Sequence, residues 1–236
     1  MSVQLVRNLP QDQADLIKHL NNDISVIYKT LSQSYMQSWK GDAPSDGDKG
    51  CPDSVYTVKR ACQELQLINV ARFYHVESDY YSWPLQQRAY RLQAPSQAHL
   101  CKSVIMENTA YNAAAAAKAG ELSYPKYVCV MTQYVAPVNT AKLTEYLRSL
   151  SGGAVSKRHY NYRLAKTEIS LELTGFHKGG VSPIGMRTAI PIFLAQGITE
   201  LEPPVMYIGA GHIDWKLALP VQDFITATNC KIVDLS

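Results

Sequence analysis

The densest run of unusual residue types is Thr174-Gly175-Phe176-His177-Lys178-Gly179-Gly180-Val181-Ser182-Pro183-Ile184-Gly185. Four glycines in these twelve residues leave backbone N–H groups unshielded by side chains. Such a loop can take positive φ values and bring its amides close to an anion or a polarised carbonyl. Pro183 has no N–H to donate and holds the loop's exit rigid. The same composition also suits an ordinary glycine-rich turn. It is not a nucleotide loop, because no G-K-[ST] follows and the G-x-G-x-x-G spacing is missing.

Lys102 stands inside the short apolar run Leu100-Cys101-Lys102-Ser103-Val104-Ile105. An ammonium beside a buried strand is costly without an anionic partner, and a phosphate is one such partner. A surface lysine is the plain alternative. Cys101 adjoins it, and a lysine can depress a thiol pKa, but strand neighbours point to opposite faces, which assigns Cys101 to the core. A second basic run, Lys157-Arg158-His159-Tyr160-Asn161-Tyr162-Arg163, interleaves cations with aromatics. That pattern suits RNA phosphates and unstacked bases, and equally a solvated turn before a helix. His212 and Asp214 invite a His/Asp pairing, yet no serine sits in G-x-S-x-G, so no triad is marked. His212 is left as a candidate rim or substrate contact.

The elements that must position these residues follow from periodicity and breakers. Pro10 marks a helix start, and Asp12 and Asp15 favour its first turn. Ile17, Leu20, Ile24, Ile27 and Leu31 then form one helical stripe that fades near Trp39. The stripe suits a short coiled-coil seam or packing on the chain's own body. Residues 41–50 are polar and turn-forming and read as a flexible linker. Helices are predicted from Ser54, over 85–92, from an N-cap at Thr140 to Ser151-Gly152-Gly153, over 164–173, and opening at Asp223. Strands are predicted at 70–76, 103–106, 127–134, 189–193, 205–209, 215–219 and 231–235. The five alanines at 113–117 nucleate poorly alone and are assigned to a surface insertion. Strands and helices mix without a regular βαβ beat, so the expected class is α+β, a curved mixed sheet surrounded by helices. The expected organisation is an N-terminal helical extension at 1–40, a linker at 41–53 and one domain at 54–236.

Composition sets outer limits. With 236 residues and 46% hydrophobic content the chain can bury one sizeable core. No window is apolar enough to span a bilayer and no signal peptide is evident, so no membrane partner and a cytoplasmic location are expected. Five widely spaced cysteines without a C-x-x-C pair fit free thiols better than a disulfide framework or a zinc site. A formal charge of +3 does not by itself imply nucleic acid. No metal and no nucleotide cofactor is expected.

Gly179-Gly180-Val181-Ser182-Pro183-Ile184-Gly185 resembles the G-x-x-x-P loop of the YbaK/ProX family of prolyl-tRNA-editing aminoacyl-tRNA deacylases. Ala165, Glu168, Leu171 and Thr174-Gly175 resemble the family's helix and T-G-[YF] turn. Leu100 to Ile105 resembles its strand with a lysine followed by Thr or Ser. Tyr207-Ile208-Gly209-Ala210-Gly211 and Pro220-Val221-Gln222-Asp223-Phe224 resemble its closing strand and last helix. The resemblance covers roughly residues 54–235; the N-terminal helix lies outside it, and the connection 108–125 is longer than the family's. It implies hydrolysis of mischarged tRNA in trans, most plausibly Cys- or Ala-tRNA(Pro), or alternatively a docking module of a synthetase assembly. Lys102 is then expected to position the 3′-terminal nucleotide, Gly179 and Gly180 to supply amides, and Ser182 to orient the loop or a water. Ser103, Pro183, His212 and Asp223 are candidate substrate contacts, and Lys157, Arg158 and Arg163 of the basic run are candidate tRNA contacts. Asp223 equally suits a helix cap. Tyr74, Tyr80, Tyr81 and Trp83 are alternative pocket aromatics. The implied partners are the 3′ end of mischarged tRNA and, through the N-terminal helix, a prolyl-tRNA synthetase or multi-synthetase complex.

Overall fold

The computed structural model describes residues 11–42, 50–120 and 123–235. The chain divides into two compact units, which meet in sequence at Trp39 and Lys40. In the first, α1 (Gln11–Gln37) runs for 27 residues, about 40 Å at 1.5 Å per residue. Leu20, Ile24, Ile27 and Leu31 all lie exposed along it, between 49% and 62% accessible. The predicted start at Pro10 and most of the predicted linker, residues 43–49, fall outside the described residues.

The second unit is mixed α+β. Its larger sheet has the order β4-β2-β3-β5-β8, with β2 (Cys101–Asn108), β3 (Tyr127–Gln133), β4 (Tyr162–Leu164), β5 (Ile192–Ala195) and β8 (Lys231–Val233). β2 pairs antiparallel with β3 and β4, while β3–β5 and β5–β8 are parallel. A smaller antiparallel sheet, β1-β7-β6, comprises β1 (Arg72–His75), β6 (Val205–Gly209) and β7 (Trp215–Pro220). A parallel bridge between Leu100 and Tyr207 joins the entry of β2 to β6, linking the two sheets. Lys40 to Asp42 are tied to this unit: the amides of Gly41 and Asp42 donate to Asn69 O and Ala71 O, both at 2.8 Å.

Helices cover the sheets because each carries one apolar stripe. In α2 (Asp53–Glu64) the buried set is Val55, Val58 and Cys62, spaced three and four apart. α3 (Leu85–Arg91) buries Ala89, and α5 (Thr140–Leu150) buries Leu143 and Leu147. Asn139, not Thr140, caps α5: its Oδ1 accepts from the amides of Ala141 and Lys142, both at 3.1 Å. The alanine run does form a helix, α4 (Ala113–Ala119), because Asn112 accepts from the Ala115 amide and Ala116 packs into the core. A cap and a buried face replace the nucleation that five alanines lack alone.

The helix predicted over 164–173 begins later, as α6 (Thr167–Thr174). Leu164 instead ends β4, and the Ala165 amide donates to Ile105 O at 2.9 Å, so β2 holds this stretch extended. α6 stops at Gly175, whose φ of +79° makes the left-handed cap. α7 (Gln196–Thr199) is a single turn and α8 (Val221–Thr228) begins two residues before the predicted Asp223. The core between sheets and helices is filled by residues such as Met131, Phe193, Ile198 and Phe224, all nearly inaccessible.

Candidate functional site

A cleft of about 530 Å³ opens where β2, the start of α6, the glycine loop and the turn after β6 converge. Lys102 and Ser103 line it from β2, Thr167 and Ser170 from α6, Lys178, Gly179 and Val181 from the loop. Tyr81, Tyr134, Leu164 and Ile213 close its remaining walls. Residues far apart in sequence meet here because β2 lies between β4 and β3 in the larger sheet and its entry abuts β6. Among the described residues no carboxylate and no imidazole lines this space, while two ammonium groups do.

Lys102 is half-buried, and its ammonium lies 5.5 Å from the centroid of the Tyr134 ring. Ser103 is 7% accessible and its hydroxyl has no hydrogen-bond partner among the described residues. A buried hydroxyl without a partner costs free energy, about 1–3 kcal/mol, which a polar substrate atom in the cleft would offset. Cys101 is buried, and burial pushes its thiol well up, so it stays a neutral core thiol.

The glycine loop is fixed from several sides. Gly179 has φ +89°, and its carbonyl accepts from the Tyr81 hydroxyl at 2.7 Å. A Cβ there would stand 2.9 Å from Cγ1 of Ile213. Gly180 lies against the next turn, where a Cβ would meet the Gly211 carbonyl at 2.8 Å. Its own carbonyl accepts from the Gly211 amide at 2.8 Å. The two expected amides are not equivalent: the Gly180 N–H already donates to His177 O at 3.0 Å. The N–H groups of Gly179 and Val181 have no such partner among the described residues. Val181 was not singled out by the sequence, because its contribution is a backbone group.

Ser182 is fully buried, and its hydroxyl accepts from the Ile184 amide at 3.1 Å. It orders the loop from within and does not reach the cleft; Pro183 beside it is also buried. His212 is not among the residues lining the cleft: its Nδ1 accepts from the Asp214 amide at 3.2 Å and stands 3.8 Å from Asp214 Oδ2. The neighbour that enters the cleft is Ile213. Asp223 is exposed in the first turn of α8 and its side chain makes no cap bond. The structure therefore gathers Lys102, Ser103 and Gly179, and leaves His212 and Asp223 outside.

Of the four candidate aromatics, only Tyr81 lines the cleft. Tyr80 is buried behind it at 5.5 Å, edge to face, Tyr74 packs toward Tyr207 at 6.0 Å, and Trp83 borders a separate surface depression. Behind the Tyr80/Tyr81 pair sits a cation the sequence reading passed over, Lys216 of β7, only 5% accessible. Its ammonium lies 5.2 Å and 4.7 Å from these two ring centroids and donates to the carbonyls of Ile213 and Trp215. Desolvation lowers its pKa to about 7, against the nearby Asp214 carboxylate, which raises it. Arg88 flanks the same rings, 5.2 Å from Tyr81.

The basic run behaves differently from its pattern. Lys157, Arg158 and Arg163 are exposed, on a 3₁₀ turn (Lys157–His159) and on β4. Tyr160 and Tyr162 are buried, their hydroxyls donating to Ser151 Oγ and Pro125 O. Extended backbone at Tyr160 and Tyr162, two residues apart, points both rings inward, so little of either is exposed for stacking. Arg163 pairs across from Glu107 on β2, five residues from Lys102, or about 17 Å along the strand.

Several solved structures share this fold. A candidate trans-editing enzyme for prolyl tRNA synthetase superposes with a TM-score of 0.62 at 16% identity, covering 79% of this chain and 99% of that one. A scaffold from a study of epitope backbone grafting by computational design gives 0.59 at 14% identity, covering 79% and 98%. A hypothetical protein gives 0.55 at 18% identity, covering 76% and 98%. No protein-family profile matches the chain, and no curated protein sequence matches it. The class defined is thus a fold, the YbaK-like α+β fold, with the helix α1 preceding it. No helix of the described residues is long and apolar enough to cross a membrane.

Proposed function

We propose that the protein is an aminoacyl-tRNA deacylase that hydrolyses mischarged tRNA, with Cys- or Ala-tRNA(Pro) as the first substrates to examine. The observation that carries this reading is the composition of the cleft: two ammonium groups, hydroxyls and unpartnered loop amides, with no acid or imidazole. Such a site suits an anionic substrate whose reaction is promoted by positioning and by stabilising an oxyanion. It does not suit general-base catalysis by a side chain. The candidate editing enzyme that shares the fold supports the same reading.

In this mechanism Lys102 pairs with a phosphate of the 3′-terminal nucleotide, and Ser103 accepts or donates a hydrogen bond to the same end of the substrate. The Gly179 and Val181 amides face the ester carbonyl, whose oxygen becomes negative as water, or the substrate's own thiol, adds to it. The ester C–O bond then breaks and the ribose oxygen leaves with a proton. Lys157, Arg158 and Arg163 extend the positive surface from the sheet edge towards the tRNA body, as phosphate contacts without base stacking. The exposed stripe of α1 is a docking element for a synthetase partner. Deacylation assays with Cys-, Ala-, Ser- and Pro-charged tRNA(Pro) test the reading. Hydrolysis of one mischarged species with Pro-tRNA(Pro) spared is expected; no hydrolysis of any would leave the docking role alone.

A further inference from the structure

Lys216 is not among the residues lining the cleft, yet two of its contacts, with Ile213 and with Tyr81, lead to Gly179. Its ammonium donates to the carbonyls of Ile213 and Trp215, which fixes the turn carrying Ile213. The Ile213 side chain lies over the α-carbon of Gly179, close enough that a Cβ there would come within 2.9 Å. On its other side Lys216 sits 4.7 Å from the Tyr81 ring, whose hydroxyl holds the Gly179 carbonyl at 2.7 Å. A cation over an aromatic ring is attracted by the ring's negative face, more strongly when both are desolvated. Gly179 is therefore gripped from two sides, and one buried ammonium supports both grips.

We propose that Lys216 is a positioning residue for the glycine loop, setting where the Gly179 amide stands in the cleft. This rests on the deacylase reading for its catalytic consequence, though not for its structural one. Burying an ammonium with no carboxylate within ion-pair distance is unfavourable, and replacement by a well-packed apolar side chain is often neutral or stabilising. A purely structural Lys216 gives no reason for slower chemistry in such a variant. A positioning Lys216 does, because an ångström of displacement in a reacting geometry costs up to about 10²-fold in rate.

The experiment compares Lys216→Met, Tyr81→Phe and the double variant with the wild-type protein. Thermal midpoint, single-turnover deacylation across substrate concentration, and amide NMR signals of Gly179 and Gly180 are read on each. Lys216→Met is expected to keep or raise the midpoint, to lower the limiting rate roughly 10-fold to 100-fold, and to change KM less than about twofold. The Gly179 and Gly180 signals should shift, and the double variant should be slower than the worse single variant by much less than the product of the two effects. An unchanged rate with unshifted glycine signals, or multiplicative effects, would overturn the proposal. If the wild-type protein deacylates nothing, the functional reading fails, and the glycine signals alone decide on Lys216. Should Lys216→Met not fold, a wild-type titration takes its place. The ¹³Cε signal of Lys216 and the amides of Gly179 and Asp214 should then share a midpoint. Asp214 and His212 of its own turn, Arg88 of α3, and Tyr80, Tyr81 and Tyr134 are the titratable and charged groups around it, so their signals are followed as well. A Gly179 amide blind to the lysine's ionisation would overturn the proposal.

Discussion

Two lysines in and beside the same cleft have opposite surroundings. Lys102 on β2 reaches it half-exposed, with an aromatic ring at 5.5 Å and no protein anion in the lining. Lys216 on β7 lies behind it, 5% accessible, with two of its three donors on backbone carbonyls. The first has charge to offer a ligand; the second has turned two of its three donors to the fold. A cation's role is thus set by where its hydrogen bonds already go, more than by its distance from the site.

The strongest test of this contrast removes the lysine with donors to spare. Lys102→Ala should slow deacylation on the order of 10³-fold, as loss of a charged group at the reacting end does. Its midpoint should hardly change, since no hydrogen bond inside the fold is lost. Single-turnover rates and tRNA affinity on the same preparation decide it; full activity with unchanged affinity would remove Lys102 from the site.

Gly179→Ala lies between the two lysines. A Cβ at φ +89° costs roughly 1–2 kcal/mol, and it also meets Ile213. Losing one oxyanion donor costs about 10²–10³ in rate. Turnover should therefore fall about 10²-fold in a protein that still folds. A variant that unfolds before it slows would make the loop a structural turn, and one that keeps both midpoint and rate would exclude it from the chemistry.

Lys216 also predicts a pH dependence of stability, with a definite sign. Its folded pKa of about 7 lies below the ordinary lysine value of 10.5. Between those limits the unfolded chain binds the proton and the folded chain does not, so stability rises with pH across that window. Below about pH 7 both states hold the proton and the contribution is flat at its least favourable. Denaturation of wild type and Lys216→Met at pH 6, 7.5 and 9 should show the wild type gaining on the variant, by at most about 1.4 kcal/mol per pH unit. Parallel curves would place the lysine in a wetter setting than its burial suggests.

The smallest effect is expected from removing α1. A chain beginning at Lys40 should retain turnover on free tRNA, because Lys40 to Asp42 keep their bonds to the second unit. Beginning at Gly50 instead removes the Asp42 carboxylate that accepts from the Phe73 amide, at the edge of β1. A folded but inactive chain from Lys40 would show that α1 contributes to the chemistry.

The sequence by itself determined a great deal of the local plan. Hydrophobic spacing and breakers marked most strands and helices, since periodicity and glycine conformations are properties of short segments. It also singled out Lys102 and the glycine loop, because four glycines around a proline and a cation in an apolar run are rare enough to notice. Tertiary structure alone decided which donors are free. The Gly180 amide is engaged by His177, whereas that of Gly179 is not. Tyr160 and Tyr162 turn inward beside exposed cations, Ser182 is sealed inside its turn, and Lys216 becomes a buried cation among tyrosines. Burial and hydrogen-bond partnership depend on contacts across many residues, such as Tyr81 with Gly179 and β2 with β6. No window of sequence contains both members of those pairs, which is why residues of the cleft could be picked out from sequence and its wiring could not.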